Sequence, residues 1–314
     1  MVSASADESV VAGDIQAKLC AIVPARQERA KQMSEVLKSF STQVLATAIE
    51  ANVIEQFLTI FAYSPQVEIH DEPDTVWVVT DIPHAYPNCV LRAQFAPDDI
   101  DARIEATLTH FRSRRLPMTW YIGPSTQPAD LGKHLIAHGL THIEDATGMA
   151  VDLLALNENL PATSGLTIKH VSDVETVQKW LRPITISFEY PDCVANALFD
   201  LYARLGFGQH LLWQLYVVFL KGEPVASSRL FLAAGVAGIY AVATVPEARR
   251  QGIGTAMTLA PVCEARSMGY RIGVLRAAQR GLGVYRRLGF KEYCKFGVYV
   301  WAVNSFATWE RKNP

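Results

Sequence analysis

The sequence is poor in cysteine and in charge, and it has no excess of either sign. Five cysteines in 314 residues (Cys20, Cys89, Cys193, Cys263, Cys294) stand far apart, odd in number and without a Cys-x-x-Cys pair. That excludes a disulfide framework and a cysteine-based zinc site, and it points to a reducing, cytoplasmic compartment. With 29 Lys and Arg against 31 Asp and Glu the formal charge is −2, so nothing draws the whole chain to nucleic acid or to an anionic membrane. The one stretch that imitates a membrane span, Leu230 to Ala243, holds Gly235 and Gly238 and falls short of the roughly 20 residues a spanning helix needs; it reads as two buried strands around a glycine turn. The N-terminal MVSASADESVVAGDIQAK carries acids where a secretory leader carries positive charge, and reads as a frayed tail. What is abundant is apolar mass. Half of the residues are hydrophobic and 19% charged, which excludes a disordered or fibrous chain, and at roughly 100 to 200 residues per domain the length favours two.

From Asp14 to Asn52, Leu19, Ile22, Val23, Met33, Val36 and Leu37 recur near helical spacing, and a second apolar stretch follows from Val53 to Phe61. Strand patterns over Thr75–Thr80, Cys89–Phe95, Met118–Ile122 and Thr141–Leu153 then alternate with helical ones over Asp98–Arg115 and Gln127–His138. The polar stretch Asn157 to Gly165 reads as a boundary between residues 1–157 and residues 158–314. Beyond it, strands are expected at Leu166–His170, Trp213–Leu220, Ala226–Ala233, Gly238–Thr244, Arg271–Leu275 and Lys291–Trp301. Helices are expected at Asp173–Leu181, Cys193–Leu205, Gly252–Met268 and Leu282–Leu288, giving an α/β lobe with a mixed sheet. Pro261 costs about 3 kcal/mol in an interior turn, so it predicts a kink or a different helix boundary.

Most of the chemistry lies in Tyr240–Ala256, YAVATVPEARRQGIGTA: a buried strand, a proline turn, then Arg249-x-x-Gly252-x-Gly254 at a helix start. A helix start leaves backbone N–H groups unpaired and carries partial positive charge, so it attracts phosphate oxygens, and glycines let them approach. No Gly-Lys-Ser/Thr ending follows for a P-loop, and Met257 stands where a dinucleotide-binding G-x-G-x-x-G needs a small residue. Downstream, Gly283 to Phe290 (GVYRRLGF) sets Tyr285 on a short helix closed by glycine. A phenol of pKa near ~10 can protonate a departing thiolate; a tyrosine on a core helix face is the plainer reading.

Together these segments resemble the GNAT superfamily of N-acetyltransferases over about Leu166 to Trp301. The resemblance implies an α/β (α+β) fold of mixed, mostly antiparallel sheet flanked by helices, acetyl-CoA as acyl donor and no metal. It further implies acetyl transfer to a primary amine of a small molecule or peptide by direct attack on the thioester. By the same resemblance Arg249, Arg250, Gln251, Gly252, Ile253, Gly254 and Thr255 belong to the pyrophosphate site. Val242, Ala243 and Thr244 would pair in β fashion with the pantetheine arm, and a main-chain N–H at that strand's end would polarise the thioester carbonyl. Tyr285 matches the general acid, although Ala278 stands where the family often has Asn. Glu189, in the Phe188–Pro191 link that forms the acceptor wall in the family, is the candidate general base, with a solvated loop acid as the alternative. Arg280, Arg286 and Arg287 face either the CoA 3'-phosphate or solvent.

The first half reads as a worn copy of the second, giving two tandem GNAT-like lobes. Pro97 to Gly139 and Pro246 to Gly289 share a strand-helix-strand-helix-Gly-strand order. In that register Ile100, Arg103 and Glu105 replace Arg249, Gly252 and Gly254, Leu135 replaces Tyr285, and no glycine occurs between Pro97 and Gly123. Side chains at each contact point exclude a pyrophosphate, so this lobe is expected to be structural or substrate-shaping. The sequence leaves open an acyl-CoA sensor that does no chemistry, and a homodimer. Neither nucleic acid nor a membrane is expected as a partner.

Overall fold

The computed structural model describes residues 36–64, 66–158, 164–207 and 212–302, and the earlier part of the expected first helix lies outside them. Helix α1 (Thr42–Phe61) joins the end of that helix and the apolar stretch after it into one element, and residues 36–41 ahead of it are not helical. Among the described residues it is the one helix long and apolar enough to cross a membrane by length and composition, yet most of it is buried inside the protein. There follow β1 (Glu68–Asp71), β2 (Thr75–Val79), β3 (Cys89–Ala93), α2 (Ile100–Ser113), β4 (Met118–Ile122), α3 (Leu131–Ala137) and β5 (Thr141–Asp152). The second half runs β6 (Leu166–His170), α4 (Val174–Ser187), α5 (Asp192–Leu205), β7 (Trp213–Leu220), β8 (Glu223–Ala233), β9 (Val236–Thr244) and α6 (Ile253–Ser267). It ends with β10 (Ile272–Ala277), α7 (Leu282–Leu288) and β11 (Lys291–Trp301). The expected α/β class and nearly every expected element are present; β1, whose Glu-Ile-His-Asp has no apolar alternation, is the addition.

Two helices run through a proline. α4 starts at a capping box, where Asp173 accepts from the Thr176 N–H at 2.7 Å and Thr176 returns a bond to the Asp173 N–H, and it continues past Pro183 to Ser187. α6 continues through Pro261 to Ser267, against the expected kink or boundary change. In both, the proline is buried among neighbours such as Trp180, Leu181 and Ile184 or Met257, Val262 and Ala265, so tertiary packing holds the helix where propensity alone would end it.

All eleven strands form one sheet in the order β1-β2-β3-β4-β11-β5-β10-β9-β8-β7-β6. The last strand of each half is seated in the other half: β5 lies between β11 and β10, and β11 between β4 and β5. The polar stretch after Asn157 therefore joins β5 to β6 without dividing the sheet. One face is covered by α1, α4 and α5; on the other, α2 and α3 cover the first half and α6 and α7 the second. α1 packs across both halves, touching β2, β5, β8, β9, β10 and β11. Its buried Asn52 donates to the carbonyls of Ala233 (2.8 Å) and Val236 (3.4 Å) at the β8–β9 turn and accepts from Tyr240 Oη at 2.6 Å.

With strands exchanged in this way the halves should unfold together. Scanning calorimetry should give one transition whose calorimetric and van't Hoff enthalpies agree; two resolved transitions would show that the halves are independent.

Candidate active site

Strands β9 and β10 run parallel but pair at only three positions, Gly273 with Ala237, Val274 with Gly238 and Leu275 with Ile239. Beyond them β9 carries a bulge, with Ala241 and Val242 facing the single residue Ser228 of β8. Ala241 takes a left-handed φ of 51°, which bends the strand as bulges do. β10 meanwhile stays paired with β5 as far as Ala277. A gap therefore opens between Tyr240–Thr244 and Arg276–Ala277. The Val245 N–H bonds the Val225 carbonyl, and antiparallel alternation turns the main chain of Ala243 toward β8 as well, leaving Thr244 to face the gap. There the Thr244 carbonyl accepts from Arg249 Nε at 3.0 Å and from Ser187 Oγ at 3.1 Å.

The gap leads to the start of α6. After a single turn at Pro246–Ala248, Arg250 (φ 60°) and Gly252 (φ 78°) are both left-handed, and the helix begins at Ile253. No acceptor among the described residues takes the N–H of Gly252, Ile253 or Gly254. A Cβ placed on Gly254 would meet nothing within 4 Å, so the space before these donors is open, and the first turn of α6 holds no acid. Free N–H groups, the helix dipole and the absent carboxylate together suit a phosphate or pyrophosphate. Of the other residues expected here, Arg250 and Gln251 are exposed beside the loop, while Thr255 is nearly buried and gives its N–H to the Gly252 carbonyl. Met257, fully buried, faces the core.

Tyr285 is half-buried on α7, packed edge-on to Phe290 with ring centroids 5.9 Å apart. Burial pushes its phenol up to about 12. A Cβ on Gly281 would lie 2.9 Å from Tyr285 Cε2, so Gly281 leaves the ring its place, a role the sequence did not reveal. The link between α4 and α5 spans the mouth of the gap: Ser187 is bonded to Thr244 on one side, and on the other the Arg280 guanidinium lies 5.9 Å from the Phe188 ring. Glu189, exposed and with a φ of 51°, stands in this link. Arg286 is paired with Glu292, which removes it from the candidates for a free phosphate.

The first half lacks the left-handed loop, the acid-free helix start and the tyrosine. α2 begins at Ile100 directly after Asp98 and Asp99, without the loop that precedes α6, and carries Asp101 in its first turn. Arg103 and Glu105 thus fall inside the helix, where Arg103 pairs with Asp74 at 2.8 Å and Glu105 with Arg112 at 2.7 Å. Leu135, opposite Tyr285 in the register, is fully buried.

Residues 212–292, which hold the gap, the loop and α7, match the family model described as Acetyltransferase (GNAT) domain. This segment is a GNAT acetyltransferase domain, and through it the chain is an acyltransferase. No curated protein matches the chain. Among solved structures it is similar to a GCN5-related N-acetyltransferase from Kribbella flavida, with a TM-score of 0.61 and 17% identity over 87% of this chain and 99% of that one. It is also similar to a functionally unknown conserved protein from Staphylococcus epidermidis (TM-score 0.57, 14% identity, 74% of this chain and 92% of that one). A tandem GNAT protein from the clavulanic acid biosynthesis pathway gives a TM-score of 0.52 at 13% identity, over 83% of this chain and 94% of that one. These likenesses are of fold, and one of them is to a protein described as a tandem GNAT.

If the α6 start is an anion site, Gly252→Val should weaken acetyl-CoA binding at least about tenfold, or about 1.4 kcal/mol, with one site per chain in the wild type. Calorimetric titration checks both. Equal affinities, or a stoichiometry of two, would contradict the assignment.

Proposed function

We propose that this chain is an acetyl-CoA-dependent N-acetyltransferase that passes an acetyl group to a primary amine by direct attack on the thioester. The observation that carries the reading is the gap between β9 and β10, which ends at the free N–H groups of Gly252, Ile253 and Gly254, with Tyr285 on the helix that follows β10. These N–H groups hold the pyrophosphate, and Val242 to Thr244 guide the pantetheine arm along β9. A bound thioester supplies an activated carbonyl and a thiolate leaving group. The Thr244 N–H, which faces the gap, is the donor available to that carbonyl oxygen, where preorganised donors contribute most.

Three protons must move. The acceptor's ammonium loses one before its nitrogen bonds to the acyl carbon, and Glu189, exposed in the link across the mouth, takes it directly or through water. The C–S bond then breaks, Tyr285 gives its phenolic proton to sulfur, and the nitrogen, cationic after its attack, returns a proton to the phenolate through water. Because burial holds that phenol near 12, Tyr285 stays protonated through the neutral and mildly alkaline range and keeps its proton until charge develops on the leaving group. The free thiols of Cys89, Cys193, Cys263 and Cys294 agree with the reducing, cytoplasmic compartment proposed for the protein.

Tyr285→Phe should keep acetyl-CoA affinity and lower the single-turnover rate by roughly 10²- to 10⁴-fold, since the ring packing survives and only the proton donor is lost. In the wild type, no loss of rate from phenol ionisation should appear up to about pH 10, where an ordinary tyrosine would be half ionised. A mutant equal to wild type would assign Tyr285 to the core and favour an acyl-CoA sensor.

Glu189→Gln should raise the acceptor KM or lower kcat while leaving acetyl-CoA affinity unchanged. Steady-state kinetics over a range of acceptor concentrations measure this, and unaltered constants would leave the deprotonation to water.

A further inference from the structure

On the α1 side of the sheet, two arginines occupy a face that is otherwise apolar and aromatic. Arg229 on β8 is 1% exposed. Its Nη1 donates to Tyr202 Oη of α5 and its Nη2 to Gln56 Oε1 of α1, and its guanidinium lies 5.6 Å from the Tyr240 ring. Arg276 is the first residue of β10 past the last pair with β9, and its guanidinium lies 4.2 Å from the Tyr121 ring and 5.8 Å from that of Phe296. Tyr86 and Tyr240 act electrostatically on both arginines, so the two cations share one chamber.

This chamber holds positive charge without a counter-charge. Neither arginine has a carboxylate within 4 Å among the described residues, whereas Arg271 and Arg266 have Asp152 and Glu158. Glu50, a buried carboxylate on the same side, is bonded to the Ser125 N–H at 3.0 and 3.2 Å, and the cation acting on it is Arg92. Nε of Arg229 and Nη1 of Arg276 are buried and bonded to nothing. A buried unpaired ion costs more than a desolvated cation–π contact returns. The chamber also adjoins the gap: Tyr240 immediately precedes the bulge, and Arg276 stands on the opposite strand where the gap begins. Tyr190, two residues after Phe188, packs against Tyr86 and carries the chamber wall to the link across the mouth.

We propose that Arg276 and Arg229 receive a carboxylate of the acceptor, so that the substrate is an amine of the amino-acid type with its carboxylate in this chamber and its nitrogen toward the gap. Each arginine keeps an N–H without a partner among the described residues, and guanidinium groups bind carboxylates well. Assigning that carboxylate to the acceptor rests on the acyl-transfer reading above; the anion site does not.

The test uses the full chain and calorimetric titration with the common L-amino acids, β-alanine and γ-aminobutyrate, each against its carboxamide. At least one should bind ten-fold or more tightly than its carboxamide. Arg276→Gln should abolish that preference, Arg276→Lys should restore part of it, and both should keep the wild-type circular dichroism spectrum and melting temperature as a check of folding. If no member of the panel outbinds its carboxamide, or if Arg276→Gln keeps the preference, the proposal is overturned. Thiol release separates the two readings. A carboxylate preference without release from acetyl-CoA leaves the anion site standing and removes acyl transfer, while release that is equally efficient with the carboxamides does the reverse.

Discussion

The site depends on one strand that comes from the other half of the molecule. β10 is paired with β5 over its whole length but with β9 at only three positions. A strand held on one edge can leave its neighbour on the other without losing its place, because half of its main-chain groups remain bonded and its buried side chains remain packed. The bulge at Ala241 turns β9 away, and β5 keeps β10 from following. The first half, which has no phosphate loop of its own, thus supplies the support that keeps the second half's gap open.

The two helix starts show how little separates a working anion site from a filled one. α6 begins after two left-handed residues and without an acid in its first turn; α2 begins immediately after Asp98-Asp99 and carries Asp101. Both have the dipole that attracts an anion, but at α2 the carboxylates of Asp98, Asp99 and Asp101 oppose one, and Arg103 and Glu105 are tied into ion pairs. The same backbone element therefore suits an anion in one half and disfavours it in the other.

Much of this could be read in the sequence, because turn chemistry and local periodicity are local properties. Arg249 to Gly254 and Leu282 to Gly289 fixed their own conformations, and the strands from Trp213 to Thr244 lie close to their expected places. The strand exchange left no such trace: alternation tells which face a side chain takes, not which strand lies beside it. α1 was divided in two because it is buried nearly all round and so lacks a clean apolar stripe. The bulge falls on Ala241, a residue that gives no sign of a left-handed φ. Arg229 and Arg276 belong to no motif; the signal the sequence offers is an arginine inside runs such as Ser-Arg-Leu-Phe-Leu-Ala and Val-Leu-Arg-Ala, where the neighbours on both faces are buried.

The place of β11 also sets an order of events during synthesis. It is the last of the described strands in chain order, yet it sits between β4 and β5 near the centre of the sheet. Until it leaves the ribosome, β4 exposes an unpaired inner edge, with Trp120 and Tyr121 on its two faces, to every other chain in the neighbourhood. Vectorial folding cannot finish the first half before the second, so the nascent chain carries an open template for misassembly until β11 has been made.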